Sequence, residues 1–135
     1  MDVRVLGINH IGIAVRNLEE AKKLYCDILG FEKVEEKRLE ERKVSIVFLK
    51  AGETMIELLE GIGEDSPVSK FIEKKGEGIH HICYEVEDVG EALRKYERDG
   101  ITLIDREARP GAEGKPVAFL HPKSTGGVLL EVMQR

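Results

Sequence analysis

The stretches NHIGIAV (residues 9–15) and HHICYEV (residues 80–86) resemble each other and are separated by an offset of 71 residues. In both stretches, the side chains alternate as expected for a β-strand with two different faces. Each is followed at the same distance by the pattern of a capping box, an acceptor side chain with a glutamate three residues later. The capping pairs are Asn17 with Glu20 and Asp88 with Glu91. The chain is therefore predicted to contain an internal duplication.

The similarity between the two halves continues beyond the helix starts. Apolar residues follow each capping pair with helical spacing, and a glycine suited to a left-handed conformation, Gly30 or Gly100, ends each predicted helix. Extended segments come next, the first with an offset of 71 and the last with an offset of 74. They cover residues 46–49 and 55–59 in the first half and residues 117–120 and 129–133 in the second. Each half is thus predicted to fold as strand–helix–strand–strand–strand.

This order of elements predicts the fold class. We expect an α+β fold in which two tandem βαβββ modules form one curved mixed sheet around a cleft. Residues 1–135 are expected to be a single domain, since this is about one domain's length. The boundaries are residues 5–60 for module one, 61–78 for a connector and 79–134 for module two. A short helix is predicted in the connector, with Pro67 at its first position and Gly76 at its end.

Composition and charge exclude several classes of function. Apolar residues make up 41% of the chain, which is enough for a buried core and argues against disorder. The net charge is −5 and no Lys/Arg block is long, so a nucleic-acid partner is not expected. No apolar run approaches the roughly 18 residues that span a bilayer, so no membrane association is expected. The N-terminal residues lack the features of a secretory signal, which favours a cytoplasmic location.

The remaining composition concerns temperature and redox state. Charged residues make up 35% of the chain, whereas amide side chains are limited to Asn9, Asn17 and Gln134. Many Glu and Lys residues with few amides are typical of a thermophilic protein, although a merely soluble surface has the same composition. Cys26 and Cys83 form no CxxC motif, so in a cytosolic protein they are expected to be buried free thiols.

Four residues in the predicted strands could bind a metal ion. Strand alternation places His10 on one face of its strand and His81, with Cys83, on the equivalent face of the second copy, whereas His80 points the other way. Glutamates also occur in the middle of two apolar strands, where a carboxylate is costly unless it is paired, protonated or bound to a cation. These glutamates are Glu57 and Glu131.

The duplication decides between a metal site and ordinary strand residues. A single strand histidine is more often a core or surface residue, and a single strand glutamate usually faces solvent. Here each half contributes one histidine and one glutamate at equivalent positions, so a pseudo-twofold arrangement would bring all four together. Two imidazoles and two carboxylates suit a divalent ion such as cobalt, nickel, zinc or manganese. His121 precedes Pro122 at a turn and is expected to be structural, and Cys83 is left out because a thiolate ligand would break the symmetry.

With these residues identified, the chain resembles the vicinal oxygen chelate (glyoxalase-like) superfamily and, within it, the methylmalonyl-CoA epimerase family. The resemblance extends from about Leu6 to Gln134. Its segments are INHIGIAV (8–15), LYCDILGFE (24–32), GEDSPVSKFI (63–72), GIHHICYEV (78–86) and GKPVAFLHPKSTGGVLLEV (114–132). The first two are widespread in the superfamily, whereas the connector segment and the HPKSTGGVLLE run are more specific to the epimerases. The resemblance implies that the metal ligands are His10, Glu57, His81 and Glu131.

The resemblance also implies a reaction, the inversion of C2 of methylmalonyl-CoA. A divalent metal ion, cobalt foremost, would chelate the thioester and carboxylate oxygens. Inversion requires proton transfer on both faces of C2. Glu131 resembles the metal-bound carboxylate that acts as a base, and Glu57 is the preferred second acid/base, with a metal-bound water or a glutamate from residues 35–41 as alternatives. Ser45 stands where some relatives have a second glutamate, and a serine hydroxyl is a poor base.

Binding of the CoA moiety and association with a second chain are also implied. Lys115 and Lys123 are candidates to contact the CoA phosphates, although each has an equally simple explanation as ordinary solubilising charge. A homodimer is expected, because small modules of this superfamily often associate.

Other functions remain open from the sequence alone. A lactoylglutathione lyase of the same superfamily would use the same ligand set, so only the connector and the HPKSTGG segment favour the epimerase. A metal-free binding module with the same fold is a third possibility, since a fold does not determine function. An extradiol dioxygenase is less favoured, because its iron site uses two histidines and one carboxylate. With Glu57, the predicted ligand set of this chain has a second carboxylate.

Overall fold

The structure, a computed structural model, describes residues 2–135. The first half contains four strands, an α-helix with a π-helical continuation and a one-turn 3-10 helix. They are β1 (Val5–Ala14), α1 (Leu18–Lys22) continued by the π-helix Lys23–Ile28, β2 (Glu32–Leu39), the 3-10 helix Glu40–Arg42, β3 (Val44–Ala51) and β4 (Thr54–Gly61). The helix α2 (Pro67–Lys75) follows.

The second half repeats this order. Its elements are β5 (Gly78–Val86), α3 (Val89–Arg98), β6 (Arg109–Pro110), β7 (Pro116–Leu120), the 3-10 helix Pro122–Ser124 and β8 (Leu130–Gln134). Strand β1 pairs in parallel with β4, and β5 pairs in parallel with β8, whereas β2–β3, β3–β4, β6–β7 and β7–β8 are antiparallel. The strands follow the order β2-β3-β4-β1-β5-β8-β7-β6 in one sheet. The predicted α+β class and mixed sheet are confirmed.

The chain divides into two compact units. The N-terminal unit is His10–His80, and the C-terminal unit combines the described chain up to Asn9 with His81–Arg135. The first half of β1 thus belongs with the second module. The single-domain organisation with boundaries at residues 60 and 79 stays a prediction.

The helix ends follow the predicted local chemistry. The side chain of Asn17 accepts the backbone N–H of Glu20, and Asp88 accepts that of Glu91, both at 2.9 Å. Gly30 and Gly100 have φ values of 89° and 92°, a conformation that favours glycine. In the connector, the hydroxyl of Ser66 caps α2, Pro67 begins the helix and Gly76 ends it. The predicted caps and connector helix are therefore confirmed.

In the N-terminal unit, alternate side chains of the sheet have different neighbours. One face packs under the first helix and forms a buried core of Val15, Leu18, Val47, Leu49 and Leu58. Glu57 is next to Leu58 in the chain and so lies on the opposite face. The strand register pairs Glu57 with Phe48 on β3 and with Gly12 on β1, so these three share that opposite face.

The C-terminal unit is built in the same way. Helix α3 packs on a core of Val86, Val89, Ala92, Leu93, Ala118, Leu120 and Val132. Glu131 precedes Val132 in the chain and lies on the other face, where the register pairs it with Phe119 on β7 and Cys83 on β5. Cys83 is fully buried with Val117 and Met133. Neither Cys26 nor Cys83 is in a disulfide, and Cys83 is buried as expected, whereas Cys26 is only partly buried.

Two local features differ from the predicted modules. The first helix is α-helical only over Leu18–Lys22 and then widens into a π-helix. The second strand of module two, β6, has only two residues, whereas the equivalent strand of module one, β2, has eight. Pro110 lacks a backbone N–H and cannot extend a strand ladder, which accounts for a short β6. Within residues 2–135, no helix has the length and apolar character needed to cross a membrane.

Candidate metal centre

The first candidate pair lies in the N-terminal unit. His10 on β1 and Glu57 on β4 are 4% and 5% exposed, and His10 Nδ1 lies 3.4 Å from Glu57 Oε2. The register explains the contact: Glu57 is paired with Gly12, two residues beyond His10 on the same face of β1.

The second pair has the equivalent strand positions in the C-terminal unit, with the other ring nitrogen of the histidine facing the glutamate. His81 on β5 and Glu131 on β8 are each 6% exposed, and His81 Nε2 lies 3.3 Å from Glu131 Oε1. Glu131 is paired with Cys83, again two residues beyond the histidine. Each unit therefore holds one imidazole and one carboxylate at the same step of a parallel strand pair, as the duplication predicts.

The chemistry of these residues fits a divalent metal ion. A buried carboxylate requires a cation or strong hydrogen bonds, and the imidazole beside each glutamate supplies a nitrogen ligand of intermediate softness. Such a set suits cobalt, nickel, zinc or manganese. The chain therefore has a His-His-Glu set that could bind a divalent metal ion.

The other histidines have different surroundings. The ring of His80 packs edge-to-face against Phe71 of α2, with centroids 4.9 Å apart. His121 is exposed, and its Nδ1 accepts the backbone N–H of Lys123 at 3.1 Å, which caps the following 3-10 turn. The expectation of a structural His121 agrees with this cap.

Comparison with known proteins identifies the family. The family model described as the Glyoxalase/Bleomycin resistance protein/Dioxygenase superfamily matches residues 9–119. The chain is 45% identical to the mitochondrial methylmalonyl-CoA epimerase of Homo sapiens over 128 residues, which are 94% of this chain and 73% of the human protein. The chain belongs to the methylmalonyl-CoA epimerase family. The predicted resemblance is confirmed.

Two further family members extend the comparison. The ethylmalonyl-CoA/methylmalonyl-CoA epimerase of Cereibacter sphaeroides is 43% identical over 129 residues, covering 94% of this chain and 96% of that protein. The methylmalonyl-CoA epimerase of Streptomyces coelicolor, solved in complex with 2-nitronate-propionyl-CoA, is 35% identical with a TM-score of 0.91. That similarity covers 97% of this chain and 95% of the solved chain. The whole fold, including all strands that carry the His–Glu pairs, is therefore shared with the epimerase family.

Within this family, the position of Ser45 had indicated a missing acid/base. The structure places Ser45 on β3 in register with Glu60, and strand alternation puts it on the face of Val47 and Leu49, under the first helix. Ser45 and Glu57 thus lie on opposite faces, and Ser45 does not occupy a place beside Glu57. In the neighbouring strand β2, Glu35 is in register with Phe48 and shares the face of Glu57.

Sequence reasoning missed the aromatic residues beside the two pairs. Phe48 is in register with Glu57, and Phe119 is in register with Glu131. The ring of Phe119 packs edge-to-face on His81, with centroids 5.6 Å apart. The two phenylalanines are 71 residues apart, the offset of the duplication, so the repeat itself could have identified them.

Proposed function

We propose that this protein is a methylmalonyl-CoA epimerase that interconverts the R and S forms at C2. One observation carries the proposal of metal-assisted proton transfer, the repetition of a buried His–Glu pair at the same register step in each module. Similarity to methylmalonyl-CoA epimerases over at least 94% of the chain supports the same substrate. The alternatives with the same fold, a lactoylglutathione lyase and a metal-free binding module, have no comparable support.

We propose that His10, Glu57, His81 and Glu131 together bind one divalent ion, cobalt foremost, with nickel, manganese and zinc as alternatives. The donor set supports this, because two imidazole nitrogens and two carboxylate oxygens suit such an ion and would leave positions for a bidentate oxygen ligand. When bound, the ion would stabilise negative charge that develops on the thioester oxygen as the C2 proton leaves.

The two glutamates are the proposed acid/base groups. Inversion requires one group to remove the C2 proton and a second to deliver a proton to the opposite face. Glu131 is proposed as the base and Glu57 as its partner, since they come from different modules and are both buried in the middle of an apolar strand. Glu35 supports the alternative of a glutamate from residues 35–41, because it shares the face of Glu57.

The surroundings of the glutamates favour this chemistry. Phe48 is 1% exposed and Cys83 is fully buried, so apolar side chains line the strands beside each carboxylate. In a site from which water is excluded, charge interactions are stronger, and a carboxylate is a better base than in water. The same walls would keep water from the deprotonated substrate.

Further properties of the protein belong to the same proposal. The exposed side chains of Lys115 and Lys123 flank the last two long strands and could contact the CoA phosphates. We propose a homodimer, a cytoplasmic location and a single-domain organisation, and the Glu- and Lys-rich composition supports adaptation to high temperature.

The decisive experiment is exchange of the C2 proton of methylmalonyl-CoA in deuterated water. Protein freed of metal is assayed with and without added cobalt, alongside Glu131→Gln and His81→Ala. We expect cobalt-dependent exchange in the parent, and loss by roughly 10²–10⁴-fold in Glu131→Gln, as for removal of a general base. Exchange retained in Glu131→Gln would remove the proposed base. If the protein instead converts methylglyoxal and glutathione and does not exchange the C2 proton of methylmalonyl-CoA, it is a lactoylglutathione lyase and not an epimerase.

A further inference from the structure

The ring of Phe119 lies directly beside the candidate ligands of the C-terminal unit. Its register with Glu131 places both side chains on the same face of β7 and β8. The ring meets the imidazole of His81 at an interplanar angle of 77°, with centroids 5.6 Å apart. This edge-to-face geometry is one that aromatic rings prefer. The buried imidazole therefore has a neighbour that restricts its rotation.

A cation also contacts the Phe119 ring. The guanidinium carbon of Arg109, on β6, lies 5.7 Å from the ring centroid. Arg109 Nε is 3.4 Å from Asp105 Oδ1, while Asp105 Oδ2 accepts the backbone N–H of Phe119 at 2.8 Å. Asp105 thus holds both the cation and the strand that carries the ring. The Asp105 side chain is 17% exposed and the Arg109 side chain is 51% exposed, so only the carboxylate side of the ion pair is shielded from solvent.

The N-terminal unit repeats this arrangement with different residues. Phe48 is in register with Glu57, and Lys37 Nζ lies 5.6 Å from the Phe48 ring centroid. A carboxylate again accompanies the cation, since Glu35 Oε1 is 3.9 Å from Lys37 Nζ. The cation comes from an eight-residue strand in one unit and from a two-residue strand in the other. A cation therefore contacts the equivalent phenylalanine ring in both units, although the strands that carry the two cations differ in length. This repetition indicates a role at the site and not a chance surface contact.

We propose that Arg109, held by Asp105 against the ring of Phe119, is a positioning residue that fixes the imidazole of His81. The inference rests on the proposed function, because it takes His81 as a metal ligand. A ligand imidazole must present its nitrogen in one direction, and groups behind the ligands commonly change metal affinity or activity 10–100-fold. The cation restricts the Phe119 ring, and the ring restricts the imidazole.

The test compares Arg109→Gln and Arg109→Lys with the parent chain and with Arg106→Gln. Arg106 is a matched control, since it is an exposed arginine three residues before Arg109 and forms an ion pair with Glu97 on helix α3. Cobalt alone is titrated into metal-free protein, its affinity is measured against a competing chelator, and the visible absorption of bound cobalt is recorded. Values of kcat and KM for methylmalonyl-CoA are then measured at saturating cobalt.

We expect Arg109→Gln to raise the Kd for cobalt on the order of 10-fold and to alter the cobalt absorption. Arg109→Lys should recover part of the affinity, because it keeps a cation on the ring. Arg106→Gln should match the parent, and KM should change little in all variants. Phe119→Leu should shift the cobalt Kd in the same direction and at least as far, with thermal unfolding showing whether it folds.

Four results would overturn the inference. Unchanged cobalt affinity and absorption in Arg109→Gln would show that the cation does not act on His81. A raised KM with unchanged cobalt affinity would make Arg109 a substrate-binding residue instead. An equal loss in Arg106→Gln would reduce the effect to general surface charge. If the parent chain binds no cobalt, the proposed metal site itself fails, and the inference fails with it. This outcome differs from one in which the parent binds cobalt and the variants have the same cobalt affinity as the parent.

Discussion

The two modules are most alike at the His–Glu pairs and least alike at their outer strands. His10–Glu57 and His81–Glu131 have contact distances of 3.4 and 3.3 Å and the same two-residue step between the histidine and the strand partner of the glutamate. The outer strands have diverged, since β2 has eight residues and β6 has two. The cation beside the phenylalanine ring is a lysine in one module and an arginine in the other.

This difference shows which part of the fold determines the site. The parallel pairs β1–β4 and β5–β8 place the imidazole and carboxylate atoms of each pair, because register and side-chain alternation in a parallel pair decide the face on which a side chain lies. The outer strands only support the aromatic residues from outside, so their length can change. Where a short strand supplies less backbone support, the ion pair of Arg109 with Asp105 and the bond of Asp105 to the Phe119 N–H replace it.

The largest expected effect separates the roles of the two glutamates. Glu57→Gln keeps the shape of the side chain and removes one of the two proposed acid/base groups. Because Glu131 can still remove the C2 proton and return it to the same face, exchange of the proton should persist while inversion falls by roughly 10²–10⁴-fold. The measurement follows deuterium incorporation and the ratio of R to S forms in the same reaction.

A matched control for this variant is Glu36→Gln. Glu36 lies on β2 in register with Val47, on the face opposite Glu57, and should have no effect on either rate. If Glu57→Gln inverts C2 at the parent rate, Glu57 is a metal ligand only. A glutamate on its face, such as Glu35, would then be the next residue to substitute.

The next effect in size concerns the cores behind the two pairs. Leu58 in the N-terminal unit is fully buried and Leu93 in the C-terminal unit is 3% exposed. Truncation to Ala should lower the free energy of unfolding by about 2–5 kcal/mol at either position, since each leaves a cavity in the core. Denaturant titration measures this, with Ile28→Ala as a control, because Ile28 is 75% exposed and should cost less than about 0.5 kcal/mol. A much smaller cost at one leucine would show that its module repacks more easily.

Local patterns in the sequence were sufficient for the parts of the fold that depend on neighbouring residues. The capping residues Asn17 and Asp88 and the glycine helix ends are decided within a few residues, and the structure confirms them. The alternation of side chains along a β-strand predicts the faces of His10 and Glu57, and the structure buries both residues. The duplication then linked the two pairs, because it assigns one histidine and one glutamate to equivalent positions in each half.

The features that the sequence did not predict depend on contacts between distant strands. The resemblance to relatives placed Ser45 at a catalytic position, but its face is set by pairing with Glu60 and packing under the first helix. Next to β6, the backbone of Phe119 hydrogen-bonds to Ile104 and Asp105, and these bonds join two segments that no local pattern pairs. The cation–ring contacts depend on register across β2–β3 and β6–β7, which no local pattern fixes.

The smallest expected effect compares one carboxyl group in each unit as the pH falls. The Asn9 amide, together with the Arg135 guanidinium, holds the pKa of Glu85 below its usual value, and in the N-terminal unit Lys33 and Lys22 do the same for Glu36. A carboxyl whose pKa is lower in the folded protein stabilises the fold above its unfolded pKa of about 4.3, and this contribution is lost as the pH falls through the folded pKa. Glu85→Gln should therefore lower the free energy of unfolding at pH 7 by about 1 kcal/mol, and the difference from the parent should be lost as the pH falls through the folded pKa of Glu85. Urea titrations from pH 7 to acid pH measure this difference in the free energy of unfolding.

Glu36→Gln is the comparison in the N-terminal unit. Because Glu36 is more exposed, its substitution should change the free energy of unfolding less than Glu85→Gln does. An equal effect of the two variants would show that the partly buried Asn9 contact adds nothing to an exposed ion pair.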